Sequence, residues 1–269
     1  MQQREYAVLG AGVLGLTAAL RLLEHGQRVV VYERESEPGG LAAGFRVGTD
    51  TAGEAIWLEK FYHHLFRSDR AITALIGEVG LAGALEWRRP LTVTLRGGHV
   101  YQLDSPSSVL RFPPIGLVDR LRMAAVLAAL RALPSPAPLE GRTAARWLRA
   151  TMGASAYTAV WEPLLRGKFG AVAGEIALPW FWARVHDRTP QLGYVRGGFQ
   201  RFYNRLAARV AERGGELRLA TQVTAIAPAE GDALAEGEAL AVTTAPVTAP
   251  DRPETRTFAP VSYTHLTLP

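Results

Sequence analysis

Cysteine is absent from the 269 residues of this chain, which excludes disulfide bonds, thiolate nucleophiles and zinc sites with cysteine ligands. No run of about eighteen apolar residues is present, so the sequence predicts no membrane-spanning helix. The apolar segment that begins at Tyr6 is interrupted by glycines and has neither the basic start nor the cleavage site of a signal peptide. These absences predict a cytoplasmic protein, and peripheral contact with a membrane stays open.

Lysine is scarce: Lys60 and Lys168 are the only two, and every other basic side chain is arginine. The net charge is +5, but no basic run is interleaved with aromatic residues, which argues against a nucleic-acid partner. Hydrophobic residues make up 48% of the chain and charged residues 20%, so a chain of this length can bury a sizeable core. The expected partner is a small molecule, and the composition does not determine the oligomeric state.

The first forty residues predict a strand, a helix and a second strand. Tyr6–Leu9 and Val29–Tyr32 are short apolar runs, as in buried parallel strands. Between them, Val13–Glu24 is apolar at helical spacing and is soon followed by Gly26, a residue type favoured after helix C-termini. The pattern predicts a βαβ unit of an α/β, Rossmann-type domain.

Three glycines and one acid give this unit a dinucleotide-binding pattern. In G-x-G-x-x-G, Gly10 allows a tight turn, Gly12 lets a pyrophosphate approach the backbone, and Gly15 lets helix and strand pack closely. Glu33 follows Gly12 by 21 residues, the offset expected for an acid that binds ribose hydroxyls. The residues predicted to contact the dinucleotide in this unit are Gly10, Ala11, Gly12, Val13, Gly15, Glu33 and Arg34.

A second glycine pair, Gly39-Gly40, is followed by Leu41. A surface turn explains such a pair, but at this position it also lets a second backbone segment approach the same pyrophosphate. The spacing E-x5-G-G resembles the FAD-binding start of the amine oxidase, protoporphyrinogen oxidase and phytoene desaturase group, to which UDP-galactopyranose mutase is related. The resemblance implies FAD rather than NAD as the cofactor, with Gly39, Gly40 and Leu41 among its contacts.

Three later segments resemble the same group. Leu58–Asp69 is similar to the histidine-containing stretch of mutase-like proteins, and Arg196–Val210 to the Gly-Gly entry of the helix that returns to the FAD domain. Leu217–Ile226 resembles the strand pair whose valine touches the adenine, which implies this role for Val223. Members of the group continue with a further strand and a Gly-Asp segment near the flavin.

The end of this chain does not show that continuation. Its last residues, 261–269, resemble a translated sequencing adapter, and we expect the natural protein to depart from this sequence near Pro260. Without the next strand, Tyr6–Leu9 would have an exposed apolar edge, which favours aggregation. The 269-residue chain alone is therefore expected to bind FAD poorly.

The resemblance and the local patterns together predict an inserted domain. Residues 1–84 and 195–269 are expected to form a discontinuous FAD-binding domain, incomplete at its C-terminus, and residues 85–194 an α+β substrate domain. Within the insertion, Leu91–Leu103 alternates around a glycine pair as in a β-hairpin, and Asp119–Leu133 has the pattern of an amphipathic helix.

Other elements are predicted from local signals. Thr143 and Ser155 have the side chains of helix N-caps. Phe199–Arg213 is predicted as a helix, and Glu216–Ala227 as a strand that rejoins the parallel sheet. Pro228–Pro253 is rich in small and turn-forming residues and is expected to form a loose hairpin or loop.

The sequence shows no nucleophile–base–acid triad and no metal-binding cluster. His64 is the first candidate to face the flavin, because His64-Leu65-Phe66 resembles the His-x-Phe motif of mutase-like proteins. Their second histidine is replaced here by Arg67. His63 points elsewhere on either a helix or a strand, and structural histidines on a loop would give the same pattern.

Lys168 and Arg196 are the other two candidates. Flavin oxidases of this group often keep a lysine near the isoalloxazine, but Lys168 fits no defined motif, and a solvated loop lysine explains it as well. Arg196 can bind an anionic substrate bidentately or lie on the surface. The aromatic segment Trp180–Trp182 can line an apolar pocket or pack in a core.

Three functions follow from these interpretations. The first is an FAD-dependent oxidoreductase that removes hydride from a C–N or C–C bond of a mostly apolar small molecule. The second is a flavin isomerase of the UDP-galactopyranose mutase type, against which Arg67 counts. The third is a non-catalytic binding protein of the same fold, as the Rab GDP-dissociation inhibitors are. Retention of the glycine fingerprint and Glu33 argues against that third function.

Overall fold

The computed structural model describes residues 4–229 and 239–259. These residues divide into two compact units. The first unit contains the residues up to Leu65, Asp69–Trp87 and the residues from Gly193 onward, and the second contains Phe66–Ser68 and Arg88–Leu192. Residues 261–269, expected to be foreign to the natural protein, lie outside the described ranges.

Strands and helices alternate at the start of the chain, and helices dominate its middle. The strands in chain order are β1 (Glu5–Leu9), β2 (Arg28–Tyr32), β3 (Gly44–Thr49), β4 (Ala55–Glu59), β5 (Leu65–Phe66), β6 (Leu85–Arg88), β7 (Val93–Arg96), β8 (His99–Gln102), β9 (Leu192–Val195), β10 (Glu216–Arg218), β11 (Thr221–Pro228), β12 (Leu240–Pro246) and β13 (Glu254–Phe258). The helices are α1 (Val13–Glu24), α2 (Arg70–Glu78), α3 (Pro106–Leu110), α4 (Leu117–Ala132), α5 (Ala144–Met152), α6 (Ala154–Ala156), α7 (Glu162–Phe169), α8 (Leu178–His186) and α9 (Phe199–Glu212).

A parallel sheet of order β1-β2-β10 forms the centre of the first unit. The predicted βαβ unit is confirmed: β1 and β2 pair in parallel, with Val8 opposite Val31, and α1 connects them. Side chains of β2 alternate between two faces because the strand period is two. Val29 and Val31 pack with α1 and α9, and Val30 and Tyr32 pack with β12 and β13.

The prediction that Glu216–Ala227 forms one strand of the parallel sheet is wrong in its second half. Of this segment, only β10 (Glu216–Arg218) joins the parallel sheet, where it pairs with β2. At Ala220 the backbone adopts a φ of +50°, a conformation rare for residues other than glycine, and the chain changes direction there. The following strand β11 belongs to a separate antiparallel sheet of order β11-β12-β13.

The segment Pro228–Pro253 contains more regular structure than predicted. Part of it forms β12, which pairs with both β11 and β13, while residues 230–238 lie outside the described ranges. Val242 of β12 and Phe258 of β13 are buried against the parallel sheet. Tertiary burial of these two side chains gives β structure to a segment whose composition is typical of loops.

Strand β1 is an edge of the parallel sheet within residues 4–229 and 239–259, where its one sheet partner is β2. Beside that edge, the amide of Ala259 donates to the carbonyl of Glu5 at 2.9 Å. Such an edge presents backbone groups that are able to pair with a further strand.

The second unit contains a hairpin and a helical core. The predicted hairpin is confirmed as β7 and β8, joined by Gly97 and Gly98 with φ of +55° and +78°. The predicted helix Asp119–Leu133 is confirmed as α4, with slightly different ends. The Trp180–Trp182 segment lies in α8, where Phe181 and Trp182 are buried, so its role is core packing rather than a pocket wall.

The two predicted helix caps have different outcomes. Thr143 occupies the N-cap position of α5, although its side chain makes no capping hydrogen bond. The prediction for Ser155 is wrong, because Gly153 is the N-cap of α6 and Ser155 lies inside that helix. Gly153 separates α5 from α6 with a φ of +96°, which an L-residue rarely adopts.

Candidate functional site

The turn from β1 into α1 is shaped by two glycines that approach each other. The amide of Gly10 donates to the carbonyl of Tyr32 at 2.7 Å, and its φ is +98°. A Cβ at Gly15 would lie 2.0 Å from the carbonyl oxygen of Gly10, inside any allowed contact. No residue larger than glycine therefore fits at position 15 without a shift of the helix.

The N-terminus of α1 has the features of an anion-binding site. Its first internal hydrogen bond runs from the amide of Leu16 to the carbonyl of Gly12 at 3.0 Å. The amides of Val13, Leu14 and Gly15 consequently have no acceptor within the helix. The first turn carries no acidic residue, and Gly12 provides no side-chain cap. The positive end of the helix dipole is thus available to a phosphate group.

The second glycine pair lies directly against the first glycine turn. The amide of Gly39 donates to the carbonyl of Ala11 at 2.9 Å, and Gly12 and Gly39 form a parallel bridge. A Cβ at Gly40 would lie 3.3 Å from the Cα of Gly12. The two backbones approach this closely because both segments lack side chains. The contact joins the predicted binding segments into one cradle, defined as Gly10–Gly15 together with Gly39 and Gly40.

Glu33 is buried at the end of β2 and binds the first glycine turn. One carboxylate oxygen, Oε2, accepts from the amide of Ala11 at 2.7 Å, and Oε1 accepts from the amide of Glu35 at 2.9 Å. The neighbouring Arg34 is exposed and forms a surface ion pair with Glu35 at 3.2 Å. Leu41 is also exposed, with 56% of its surface accessible.

An open groove of about 520 Å³ begins at Gly10 and Glu33. Its walls also include Tyr32, Arg34 and β11, so that Val223 lies in the same groove as the acid. The structure thus brings together Gly10, Glu33, Arg34 and Val223 along one groove. A glycine cradle at a helix N-terminus beside a groove that contains an acid fits a dinucleotide: the cradle suits a pyrophosphate, and the acid suits ribose hydroxyls.

His64 lies outside this cradle, among aromatic residues of the first unit. Its half-buried ring lies 5.0 Å from the ring of Tyr62, measured between centroids. The Tyr62 hydroxyl is 3.1 Å from that of Tyr194, and burial raises the pKa of Tyr194 to about 12. The neighbouring His63 ring contacts the carbonyl of Phe61 at 2.6 Å.

The other two catalytic candidates have surface environments. Lys168 is exposed in the last turn of α7, in the second unit, with its ammonium 5.9 Å from the ring of Phe169. Arg196 belongs to the first unit and forms an ion pair with Glu86 at 2.7 Å. The Arg196 guanidinium is therefore already neutralised by a carboxylate, which weakens its case as a receptor for an anionic substrate.

Three residues near the cradle escaped the sequence analysis: Glu59, Gln200 and Tyr203. Gln200 is fully buried and hydrogen-bonds with the segment that carries Gly39. Tyr203 packs against Gly39, and burial raises its pKa to about 12. The available signal was helical spacing, because Gln200 shares a face of α9 with Tyr203 and is polar on an otherwise apolar stripe.

Among residues 4–229 and 239–259, no group of three or more His, Asp or Glu side chains has the arrangement of a metal site. None of the helices in the same ranges is long and apolar enough to cross a bilayer.

The fold and the cradle define a dinucleotide-binding α/β protein. Comparison with known families identifies the family to which it belongs. The family model for flavin containing amine oxidoreductase matches residues 15–248, so the chain belongs to this family. This membership confirms the predicted α/β FAD-binding fold and FAD as the cofactor. A stretch of 47 residues, 16% of this chain and 9% of the relative, is 55% identical to phytoene dehydrogenase of Streptomyces griseus.

Solved structures share this fold at low sequence identity. Cyclohexylamine oxidase from Brevibacterium oxydans matches 97% of the chain with a TM-score of 0.62 and 18% identity. Reduced UDP-galactopyranose mutase matches 96% of the chain with a TM-score of 0.63 and 16% identity. The chain covers 57% and 55% of these two proteins, so it spans a little over half of their length.

Proposed function

We propose that the protein uses FAD to oxidise a mostly apolar small molecule by removing hydride from a C–N or C–C bond. The main support is the cradle, in which a helix N-terminus and a second glycine pair face each other beside Glu33. The family assignment supports oxidation chemistry. The short match to a phytoene dehydrogenase supports an apolar substrate.

The residues of the chain have defined roles in this proposal. The amides of the first turn of α1 and the backbone of Gly39 and Gly40 bind the pyrophosphate, Glu33 binds the ribose hydroxyls, and Val223 contacts the adenine. The bound flavin supplies the hydride acceptor. Residues 85–194, close to the second unit in extent, select the substrate, and His64 is the candidate for contact with the flavin.

An isomerase of the mutase type is the alternative. The presence of Arg67, where the mutase-like motif has a histidine, argues against it. Two nitrogens of the Arg67 guanidinium, Nη2 and Nε, donate to Oε1 of Gln191 at 2.9 and 3.2 Å. The Arg67 side chain therefore forms hydrogen bonds within the second unit. The second histidine that the resemblance implies at this place is the residue type suited to proton exchange near neutral pH, and this chain has none there. Both an amine oxidase and a mutase match the fold equally well, so fold similarity does not separate the two activities.

The test begins with the visible spectrum of the full-length protein. Flavin absorption that survives gel filtration is expected. Anaerobic mixing with a panel of aliphatic amines and polyenes should then bleach the flavin band with at least one member and form its dehydrogenated product in the same step. Re-oxidation by air should restore the flavin band. A protein that instead interconverts UDP-galactopyranose and its furanose form after dithionite reduction would establish the isomerase. A protein that stays colourless after addition of FAD would contradict both activities.

A further inference from the structure

Gln200 is a fully buried polar side chain in the first turn of α9. A buried amide needs partners for both its donor and its acceptor groups, because each unsatisfied group is costly. Gln200 satisfies them with groups far away in sequence rather than only with its own helix. These long-range hydrogen bonds indicate that the side chain connects α9 to another segment of the chain.

The partners of Gln200 bracket the second glycine pair. Its Nε2 donates to the carbonyl of Pro38 at 2.7 Å, and its Oε1 accepts from the amide of Gly44 at 2.9 Å. Gly39 and Gly40 lie between these two points. The second hydrogen of Nε2 is donated to Oδ1 of Asn204 at 2.7 Å, which fixes the orientation of the amide. One side chain therefore holds both ends of the segment Pro38–Gly44.

A second hydrogen bond, to the carboxylate of Glu59, fixes α9 against the β3–β4 hairpin that begins at Gly44. Oε1 of Glu59, at the end of β4, accepts from the amide of Phe199 at 2.9 Å. Glu59 is paired with Gly44 across the β3–β4 hairpin. A Cβ at Gly44 would lie 2.9 Å from the carbonyl oxygen of Leu58, so the hairpin has no room for a side chain at this position. The same Cβ would lie 3.4 Å from the Cβ of Gln200, so α9 packs directly beside Gly44. The hairpin and the helix each supply one acceptor and one backbone donor to the other.

We infer that Gln200 is a positioning residue for the cofactor: it holds the segment Pro38–Gly44 against Gly12 and so sets the affinity for FAD. The inference rests on the proposed FAD site in the cradle. Without the amide, the carbonyl of Pro38 and the amide of Gly44 would be buried without a partner, and the segment would move away to reach water. The spacing between Gly12 and Gly40 would then vary, and the pyrophosphate would lose a preorganised backbone.

The central experiment compares Gln200→Met with a matched control, Gln27→Met, in the full-length protein. Methionine has a similar length and no hydrogen-bonding amide. Gln27 is also buried in the first unit, and it likewise accepts from a backbone amide, that of Arg4 at 2.9 Å, and donates to a backbone carbonyl, that of His25 at 3.2 Å. We expect the FAD dissociation constant to rise about tenfold or more for Gln200→Met and to stay within about threefold for Gln27→Met.

Hydrogen exchange of the apo-protein gives a readout that does not depend on FAD. Peptides that cover residues 38–44 should exchange faster in Gln200→Met, and peptides elsewhere in the first unit should not. If the parent protein binds no FAD, the proposed function is refuted. Faster exchange of residues 38–44 in Gln200→Met would still show, in that case, that Gln200 holds this segment. Equal exchange and equal FAD affinity in Gln200→Met and the parent would overturn the inference.

A conservative variant covers the case in which Gln200→Met does not fold. In its protonated form, the carboxyl group of Gln200→Glu can both donate to Pro38 and accept from Gly44, and burial favours that form. At about pH 5 we expect this variant to bind FAD as the parent does, whereas at about pH 8 ionisation removes the donor and weakens binding. A ratio of variant to parent affinity that is the same at both pH values would contradict the assigned role.

Discussion

The carboxylate of Glu33 accepts a hydrogen bond of 2.7 Å from the amide of Ala11, which lies 22 residues earlier in the chain. The acid at the end of β2 thereby fixes the turn that begins α1. Its second oxygen accepts from the amide of Glu35 at 2.9 Å. The residue predicted to recognise ribose also stabilises the cradle predicted to bind pyrophosphate, so the two halves of a dinucleotide would be bound by connected groups.

Replacement of Glu33 should therefore weaken FAD binding more than the loss of one ribose contact. We expect Glu33→Ala to raise the FAD dissociation constant by about 100-fold, because hydrogen bonds to a charged group contribute about 1.5–3 kcal/mol. Glu35→Ala is the control, since its exposed side chain leaves the Ala11 contact intact. Titration of the apo-proteins with FAD, followed by flavin fluorescence, measures both. Equal affinities of the two variants would contradict this role of Glu33.

Gly15 offers a test of the close contact within the first turn. In Gly15→Ala the new Cβ would meet the carbonyl oxygen of Gly10 at 2.0 Å, so the helix must shift. We expect a loss of about 2–3 kcal/mol in the free energy of unfolding, together with loss of FAD binding. Gly77→Ala in α2 is the control, because a Cβ there meets nothing within 4 Å and alanine favours a helix by up to about 1 kcal/mol. Urea unfolding of both variants measures the difference.

The ion pair between Arg21 and Glu78 connects α1 with α2 and should give a small acid-sensitive contribution. The hydrogen bond from Arg21, 2.6 Å to one carboxylate oxygen, lowers the pKa of Glu78 below its ordinary value of 4.5. A lowered pKa means that the contribution is present above pH 4.5 and disappears as the pH falls through the folded-state pKa.

Because the two side chains are 45% and 33% exposed, solvent screening limits the contribution to less than about 1 kcal/mol. Glu78→Gln should be less stable than the parent at about pH 7, and the deficit should shrink as the pH is lowered to about 3. Urea unfolding at the two pH values provides the comparison. A deficit that persists unchanged in acid would show that packing, and not the ion pair, causes it.

Ala220 has a left-handed backbone conformation, which glycine adopts at a lower energetic cost than alanine. Its φ of +50° costs about 1 kcal/mol in an L-residue. We expect Ala220→Gly to raise the free energy of unfolding slightly, while Ala211→Gly, in the last turns of α9, should lower it by about 1 kcal/mol. Thermal and urea unfolding of the two variants measure these changes. A loss of stability in Ala220→Gly would contradict the claim that the backbone at Ala220 is strained.

Lys168 should be dispensable for cofactor binding. Its side chain is exposed at the end of α7 and contacts the face of Phe169 only weakly. We expect Lys168→Met to change the FAD dissociation constant and the rate of anaerobic flavin reduction by less than about twofold. A tenfold loss of the reduction rate at unchanged FAD affinity would return Lys168 to the group of catalytic candidates.

Local signals in the sequence were sufficient for the βαβ unit, the cradle glycines and the β7–β8 hairpin. In each of these, adjacent residues specify the backbone. Gly10 allows the turn before α1, Gly97-Gly98 allows the turn of the hairpin, and the apolar spacing of Val13–Glu24 predicts the helix. The same signals failed at Ser155, where Gly153 starts the helix instead, and at Ala220, where the strand leaves the parallel sheet without any turn residue.

The sequence by itself determined the dinucleotide fingerprint and the place of Glu33 in it, because the fingerprint is a local pattern with fixed spacing. The family and FAD followed from the resemblance of the second glycine pair and the later segments to known proteins. Whether the named residues bind FAD stays a prediction for the titrations above. Only the tertiary structure turned residues 240–246 into a strand with buried side chains and brought Gln200 to Pro38 and Gly44. These contacts join segments more than 150 residues apart, as for Gly44 and Gln200. They depend on which surfaces are buried together, and burial is a property of the packed chain rather than of neighbouring residues.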